Sequence, residues 1–192
     1  MTVLPITTVG DPVLRRRAAE VAPDELASAE VQAFIDDLVE TKRAANGAGL
    51  AANQVGDVRR IAVVEVEAGN PRYPYKPPFP LTIMVNPELE PIGDETFDVS
   101  EGCLSIPDLR GTLRRHAKVR ARFLDRHGEQ RELVVRGLSA GTFQHEVDHL
   151  DGVLFLDRVT DPTTFTTWEQ FERFGRAEFE AHASRIVERF GA

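Results

Sequence analysis

The sequence is poor in cysteine and has no long apolar run, and each shortage excludes a class of protein. Cys103 is the only cysteine among 192 residues, so no internal disulfide can form and a reducing compartment is expected. No run of about 20 apolar residues is present, so no membrane-spanning helix is expected. The segment 1–10 lacks the charged and apolar regions of an export signal. We therefore expect a cytoplasmic bacterial protein, with a processed organelle form as the alternative.

Excess positive charge is also missing. The formal net charge is -8, which argues against broad binding to a nucleic-acid backbone, because such binding needs a basic surface. Short basic clusters at 15–17 and 110–122 are interpreted as solvated surface, with docking to a ribosome as the alternative. Neither a membrane nor a specific nucleic acid is expected as a partner. Length and ordinary composition predict one domain spanning 1–192, with a C-terminal helix at about 167–190 as an extension of it.

Hydrophobic patterning predicts an α+β fold. Apolar residues recur at helical spacing in 23–45, in 138–150 and after Thr167, whereas 118–125 alternates as a half-buried strand. The proline-rich stretch 69–80 is expected to be an extended surface loop. The order of the elements favours antiparallel or mixed β-sheets packed around a central helix, with an N-terminal and a C-terminal helix beside them. Further strands are expected at residues 61–66, 81–85, 132–136 and 153–156.

The central helix carries the most informative motif, an HExxH pattern at 145–149. Residues four apart lie on one face of a helix, so the imidazoles of His145 and His149 can reach one metal ion. Glu146 lies between them, where its carboxylate can accept a proton from water on that metal. The pattern predicts metal-assisted hydrolysis, but it supplies only two protein ligands, whereas catalytic zinc-type sites usually have three.

Three positions could supply the third ligand. The position used in metzincin-type sequences is occupied by Phe155, which cannot bind a metal. Glu169 stands at an offset that suits thermolysin-like peptidases, although acidic residues are common in the first turn of a helix. Cys103 offers a thiolate, which is a strong ligand for zinc or ferrous iron. Spacing alone does not choose between Glu169 and Cys103.

Three separated segments together resemble the signature motifs of peptide deformylases. Residues 47–54 match GxGLAAxQ, residues 101–105 match EGCLS, and residues 144–150 match QHExDHL. The similarity covers most of residues 5–160. This resemblance implies a hydrolase of protein biosynthesis that removes the formyl group from N-formylmethionyl nascent peptides and releases formate. It also implies one divalent metal ion, Fe2+ in the first place, with Zn2+, Ni2+ or Co2+ as replacements.

The resemblance also implies roles for individual residues. The metal ligands would be Cys103, His145 and His149, with Glu146 as general base. Gln54 and the backbone amide of Leu104 would donate hydrogen bonds to the formyl oxygen. The substrate-binding residues would be Gly49, Leu50, Gly102 and Phe143.

Neighbouring residues are given supporting roles. Glu101 is expected to accept hydrogen bonds from an arginine such as Arg114. Asp148 is interpreted either as an orienting group behind the metal site or as an exposed helix acid. Gly141 is smaller than the aliphatic residue expected in many relatives, which would either widen the methionine side-chain pocket or be compensated by Phe143.

Two other functions stay open at this point. An HExxH metallopeptidase using Glu169 as third ligand would cleave internal peptide bonds and would not need Cys103. A non-catalytic metal-binding relative would bind the ion without turnover. The sequence is compatible with a monomer and with a homodimer.

Overall fold

The computed structural model describes residues 1–191. The α-helices are α1 (Pro23–Leu26), α2 (Ala29–Ala44), α3 (Gly137–Leu150), α4 (Phe155–Arg158), α5 (Trp168–Gln170) and α6 (Arg176–Phe190). The strands are β1 (Gly49–Ala51), β2 (Ile61–Val66), β3 (Phe79–Pro91), β4 (Thr96–Cys103), β5 (Ile106–His116), β6 (Lys118–Leu124) and β7 (Gln130–Arg136). Short 3-10 turns occupy Pro12–Arg15, Ala52–Val55 and Pro162–Thr164, and a π-helical turn occupies Phe171–Gly175.

The strands form two antiparallel sheets. Five strands make the larger sheet in the order β1-β2-β3-β6-β7, and β4 and β5 pair separately as a long hairpin. The predicted α+β architecture is therefore confirmed. Within residues 1–191, no helix has the length and apolar character needed to cross a membrane.

Helix α3 lies at the centre because apolar residues cover it from two sides. Strand β2 is buried on both faces, so neighbouring residues along it enter different layers. Ala62 and Val64 belong to the cluster with Phe143 of α3, whereas Ile61 belongs to the cluster with Ile35 of α2. The five-stranded sheet thus separates α2 from α3.

The β4-β5 hairpin and the C-terminal helix cover the other side of α3. Phe97 and Val99 of β4 cluster with Leu138 of α3 and with Phe179 and Ile186 of α6. This second apolar layer leaves α3 between two sheets, with its C-terminal half next to the end of β4.

Several boundaries differ from those expected. The first helix is divided into α1 and α2, because Ser28 Oγ accepts a hydrogen bond from Val31 N and begins a new helix. The strand expected at 153–156 is wrong: Phe155 opens α4, and Asp157 accepts a hydrogen bond from Leu154 N at its start. Strand β3 begins at Phe79, so the proline-rich loop is shorter than expected. The β4-β5 hairpin was not predicted.

Candidate active site

The structure brings the three predicted metal ligands together. Cys103 ends β4, and His145 and His149 lie one turn apart on α3; the ligand atoms of the three residues lie within 4.8 Å of one another. The Cys103 Sγ to His149 Nε2 distance is 3.1 Å. Cys103 is 2% exposed and His149 is 1% exposed, so water reaches neither freely. One thiolate and two imidazoles suit zinc or ferrous iron and leave a coordination position open.

A turn between β4 and β5 presents Cys103 to the helix. The strand register shifts between Gly102 and Cys103, and Ser105 N donates to Cys103 Sγ at 3.3 Å. A Cβ at Gly102 would lie 3.1 Å from Trp168 Cζ2. A glycine therefore lets the strand pass beneath the indole while the next residue turns toward α3.

Two buried carboxylates and one arginine orient His145. Its Nδ1 lies 2.9 Å from Glu101 Oε2, which leaves Nε2 for the metal. Arg115 donates to both oxygens of Glu101 at 2.8 Å and to Asp148 Oδ2 at 2.5 Å. Burial alone would raise the pKa of Glu101, but Arg115 and His145 hold it well below its ordinary value. Glu101 is thus kept ionised behind the ligand.

The predicted partner of Glu101 was wrong by one residue. Along β5 the side chains alternate, so Arg115 points inward at 2% exposure whereas Arg114 points outward and pairs with Asp98. Asp148 is buried and also pairs with Arg158, so it belongs to the same network and is not an exposed helix acid.

Glu146 lies beside the ligand group without a protein partner for one of its oxygens. It is 3% exposed, and its Oε2 accepts no hydrogen bond from residues 1–191. Burial raises the pKa of Glu146 to about 7, against the opposing charges of His145 and Lys76. A Cβ at Gly49 would lie 2.5 Å from Glu146 Cδ, so only glycine leaves room for this carboxylate. A metal with one open position fits here, because a carboxylate with an unpartnered oxygen lines the same cavity as Cys103 and His145 and can accept a proton there.

Gln54 is held with its amide nitrogen toward Cys103. Its Oε1 accepts from Ala51 N at 2.9 Å, and its Nε2 is 3.5 Å from Cys103 Sγ and 3.1 Å from Ser105 Oγ. The 52–55 turn is fixed to α3, because Asn53 Nδ2 donates to the His149 carbonyl. A side-chain donor is therefore aimed at the edge of the ligand group.

A cavity opens next to these residues. Of the predicted substrate-binding residues, Gly49 and Gly102 line it together with Leu104, whereas Leu50 and Phe143 do not. Both are fully buried, Leu50 in the layer facing α2 and Phe143 against Phe79 at 5.4 Å between ring centroids. Their positions argue against the predicted side-chain contact with substrate. The full lining consists of Ala48, Gly49, Gln54, Tyr73, Tyr75, Lys76, Phe97, Val99, Ser100, Glu101, Gly102, Cys103, Leu104, Arg110, Leu138, Gly141, Thr142, His145, Glu146 and Phe179.

Several lining residues were missed by sequence reasoning. Tyr75 and Lys76 come from the loop between β2 and β3, Arg110 comes from β5, and Phe179 comes from α6. Tyr75 and Phe179 stack edge to face at 4.7 Å, which joins the loop to the C-terminal helix. The one available signal was the pair of tyrosines beside a lysine in an otherwise proline-rich loop.

A buried Cys–His–His ligand group with an adjacent, unpartnered glutamate defines a metal-dependent hydrolase of the HExxH type. Glu169, the alternative third ligand, is exposed at the start of α5 and does not join the group. The family model for polypeptide deformylase matches residues 3–165, and the chain belongs to that family.

Individual relatives agree with this assignment. The chain is 40% identical over 169 residues to peptide deformylase 2 of a Nostoc species, an alignment covering 88% of this chain and 93% of the relative. Peptide deformylase 1 of Streptomyces coelicolor is 45% identical over 159 residues, covering 81% and 72%. The Met-Ala-Ser-bound crystal structure of the class I type b enzyme from Acinetobacter baumannii superposes with a TM-score of 0.78 at 39% identity, covering 82% of this chain and 99% of that one.

Proposed function

We propose that this chain removes the formyl group from the N-terminal formylmethionine of newly synthesised polypeptides. The observation that carries the proposal is the buried, unpartnered Oε2 of Glu146 beside Cys103, His145 and His149. In a member of the polypeptide deformylase family, these four side chains hold every group that hydrolysis of a formamide requires.

One divalent metal ion fits the ligand group, and we propose Fe2+ as its identity. The thiolate of Cys103 favours a soft or borderline metal over Mg2+ or Ca2+. When bound, the ion supplies a Lewis acid that polarises the formyl carbonyl and lowers the pKa of water.

Glu146 moves the proton in the proposed reaction. Its carboxylate accepts a proton from the water that attacks the formyl carbon, and it delivers that proton to the leaving nitrogen as the C–N bond breaks. The products are formate and a free amino terminus. Its Oε2 has no hydrogen-bond donor among residues 1–191, which leaves the carboxylate free for both halves of this exchange.

Gln54 and Leu104 stabilise the negative charge that develops on the formyl oxygen. The Nε2 group of Gln54 lies 3.5 Å from Cys103 Sγ, and Leu104 follows Cys103 in the chain and lines the same cavity, which supports these roles. One such donor typically lowers a transition-state barrier by about 3 kcal/mol.

The substrate backbone would lie along β1. This strand is the edge of the five-stranded sheet, so its outer edge can pair with an added strand, and Gly49 lines the adjoining cavity. The first side chain would then enter the cavity between Val99 of β4 and Leu138 and Gly141 of α3. The Met-Ala-Ser ligand of the Acinetobacter structure is the kind of product that such a groove would hold.

Formate release from N-formyl-Met-Ala-Ser tests the proposal. Anaerobically purified, iron-loaded wild type is compared with Cys103→Ala and Glu169→Ala, and metal content is measured on the same samples. We expect turnover in the wild type and in Glu169→Ala, and loss of both metal and turnover in Cys103→Ala. Metal loss in Glu169→Ala with an active Cys103→Ala would indicate a peptidase-like site, and metal binding without turnover in any variant would indicate a non-catalytic relative.

A further inference from the structure

The cavity contains a cation that the reaction above does not use. Lys76, from the loop between β2 and β3, lines the cavity and donates from Nζ to Thr142 Oγ1 at 2.7 Å. Its ammonium also lies 5.0 Å from the centre of the Tyr73 ring. Among residues 1–191, no carboxylate forms a salt bridge with it. An ammonium has three N–H donors, so two remain after the bond to Thr142.

The ammonium lies at Thr142, next to the residues of α3 beside which the proposed first side chain would enter the cavity. Thr142 precedes His145 and Glu146 by three and four residues, so it lies on the same face of α3, about one turn or 5.4 Å from the ligand level. Its Oγ1 already donates to the Leu138 carbonyl at 3.1 Å. Lys76 therefore brings two free donors to this end of the cavity.

Gly141 leaves space beside this group. A Cβ there would have only ordinary contacts, the nearest being Phe97 Cζ at 3.5 Å. The cavity is therefore wider than it would be with an aliphatic residue at position 141. Hydrogen-bond donors of Lys76 lie at its end. The thioether of methionine is a weak acceptor and makes little use of such donors.

We propose that Lys76 binds the sulfoxide oxygen of an oxidised first residue, so that formyl-methionine sulfoxide peptides are substrates as well as formylmethionine peptides. This inference rests on the proposed deformylase function. Oxidation adds one polar oxygen to the flexible, apolar side chain, and an apolar pocket would reject it because the oxygen would lose its hydrogen bonds to water. The ammonium replaces those bonds, and Gly141 provides the additional room.

The test compares three substrates that differ only at the end of the first side chain. These are N-formyl-Met-Ala-Ser, the separated epimers of its sulfoxide, and the norleucine analogue, which has similar size and no acceptor. In the wild type we expect kcat/KM for one sulfoxide epimer to lie within about tenfold of that for methionine, because a hydrogen bond to a charged group replaces hydration.

Two lysine variants separate the contact from general effects. Lys76→Met keeps the length of the side chain without donors, and Lys118→Met changes a lysine on β6 outside the cavity. Lys76→Met should lower kcat/KM for the sulfoxide by about 10- to 100-fold, the size of a charged hydrogen bond. Because the charge of Lys76 also acts on Glu146, kcat/KM for methionine and norleucine can fall as well, but both should change by the same factor, and that factor should be at least about tenfold smaller than the loss for the sulfoxide. Lys118→Met should behave as wild type.

Other outcomes separate this inference from the proposed function. If the wild type releases formate from methionine and norleucine peptides but not from either sulfoxide epimer, the inference is overturned and the proposed function stands. Equal losses on all substrates in Lys76→Met would also overturn it. If Lys76→Met does not fold, the inhibition constants of Met-Ala-Ser and of its sulfoxide are compared on the wild type. A sulfoxide that inhibits more than about a hundredfold more weakly than Met-Ala-Ser would contradict the proposal. Failure on every substrate would overturn the deformylase function itself.

Discussion

At the scale of single residues, the position of Glu146 depends on the absence of a side chain at residue 49. A methyl group there would lie 2.5 Å from Glu146 Cδ and 2.6 Å from its Cγ. We expect Gly49→Ala to lower kcat by about a hundredfold, since a displacement of about 1 Å of a reacting group has that effect. Metal content should be unchanged, because the ligands are Cys103, His145 and His149. Formate release and metal analysis of the purified variant measure both quantities.

Gly141→Ala is the matched control, since it adds the same methyl group inside the same cavity. The nearest atom would be Phe97 Cζ at 3.5 Å, which is an ordinary contact. This variant should retain kcat within about threefold of the wild type. Equal activity in Gly49→Ala and wild type would show that Glu146 does not need its present position.

Two adjacent arginines on β5 provide a second comparison at this scale. Arg115→Met would leave Glu101 and Asp148 buried without their shared cation, which should lower the free energy of unfolding by about 3–5 kcal/mol. Metal affinity should fall by about 10- to 100-fold, because Glu101 orients His145. Arg114→Met removes only an exposed pair with Asp98 and should leave stability close to that of the wild type.

Thermal unfolding and competition with a metal chelator measure these effects. If Arg115→Met and Arg114→Met lost similar stability and metal affinity, β5 would be sensitive to any substitution at these positions. The role given to Arg115 in pairing with Glu101 and Asp148 would then be wrong.

At the scale of elements, one face of α3 carries residues of the active site and another face packs in the core. His145 and Glu146 face the cavity, whereas Phe143 packs into the sheet beneath. We expect Phe143→Leu to lower the free energy of unfolding by about 1–3 kcal/mol, because it leaves an unfilled space in the core. The KM for N-formyl-Met-Ala-Ser should stay at the wild-type value below the unfolding temperature. A raised KM with unchanged stability would instead restore Phe143 as a substrate-binding residue.

The elements that the sequence predicts well are those with a single clear period. Strand β2 and helix α3 agree with their predicted bounds to within one residue, because local patterning and burial coincide there. The β4-β5 hairpin escaped prediction because its alternation, visible at Phe97 and Val99, continues into Glu101 and Gly102. A glutamate interrupts the apolar pattern of a strand. Glu101 can be assigned to the inner face only when its ion pair with Arg115, on the next strand, is known.

The metal site followed from three motifs taken together, whereas the cavity around it did not. Lys76 and Tyr75 enter the cavity because their loop is held by contacts to α3 and α6, which are distant in the sequence. Leu50 and Phe143 were placed in the cavity by resemblance, but the pleat of β1 and the turn of α3 direct their side chains into the core. Motif spacing identifies chemistry; it does not fix which way a neighbouring side chain points.

At the scale of the whole molecule, a buried ion pair connects α2 to the large sheet. Lys42 is 1% exposed and donates to Glu65 at 2.7 Å, and Arg43 donates to both oxygens of Glu65. The hydrogen bond from Arg43 lowers the pKa of Glu65 to about 2, with Lys42 contributing and burial opposing. The folded state therefore binds the Glu65 proton more weakly than the unfolded state does.

This shift predicts how stability depends on pH. The stabilisation from Glu65 is fully present above the unfolded pKa of about 4.3 and is lost as pH falls through the folded pKa, with a contribution of about 3 kcal/mol. Chemical unfolding between pH 7 and pH 2 should show this loss in the wild type and not in Glu65→Gln, which should be less stable than the wild type at pH 7 and approach its stability near pH 2. Glu90→Gln, at an exposed position, should show the same dependence of the free energy of unfolding on pH as the wild type. If Glu65→Gln also showed that dependence, the assignment of the loss to Glu65 would be wrong.

Several properties of the whole molecule stay predictions. These are the single-domain organisation of 1–192, docking to a ribosome, and the choice between monomer and homodimer. The family match ends at residue 165, yet Phe179 of α6 closes one side of the cavity. The C-terminal helix is therefore expected to affect activity as well as stability.

The burial of the ligand group bears on how a molecule acquires its metal. Cys103 and His149 are almost completely enclosed, and they come from elements that meet only when β4 has packed against α3. Thiolate and imidazole ligands bind copper and zinc more tightly than ferrous iron, so affinity alone does not select iron. The cavity reaches Cys103 and His145, so an ion can exchange there while β4 and α3 stay packed together. The metal content of this protein should therefore follow the metals available to it, and preparations of one sequence made in different media are expected to differ in activity.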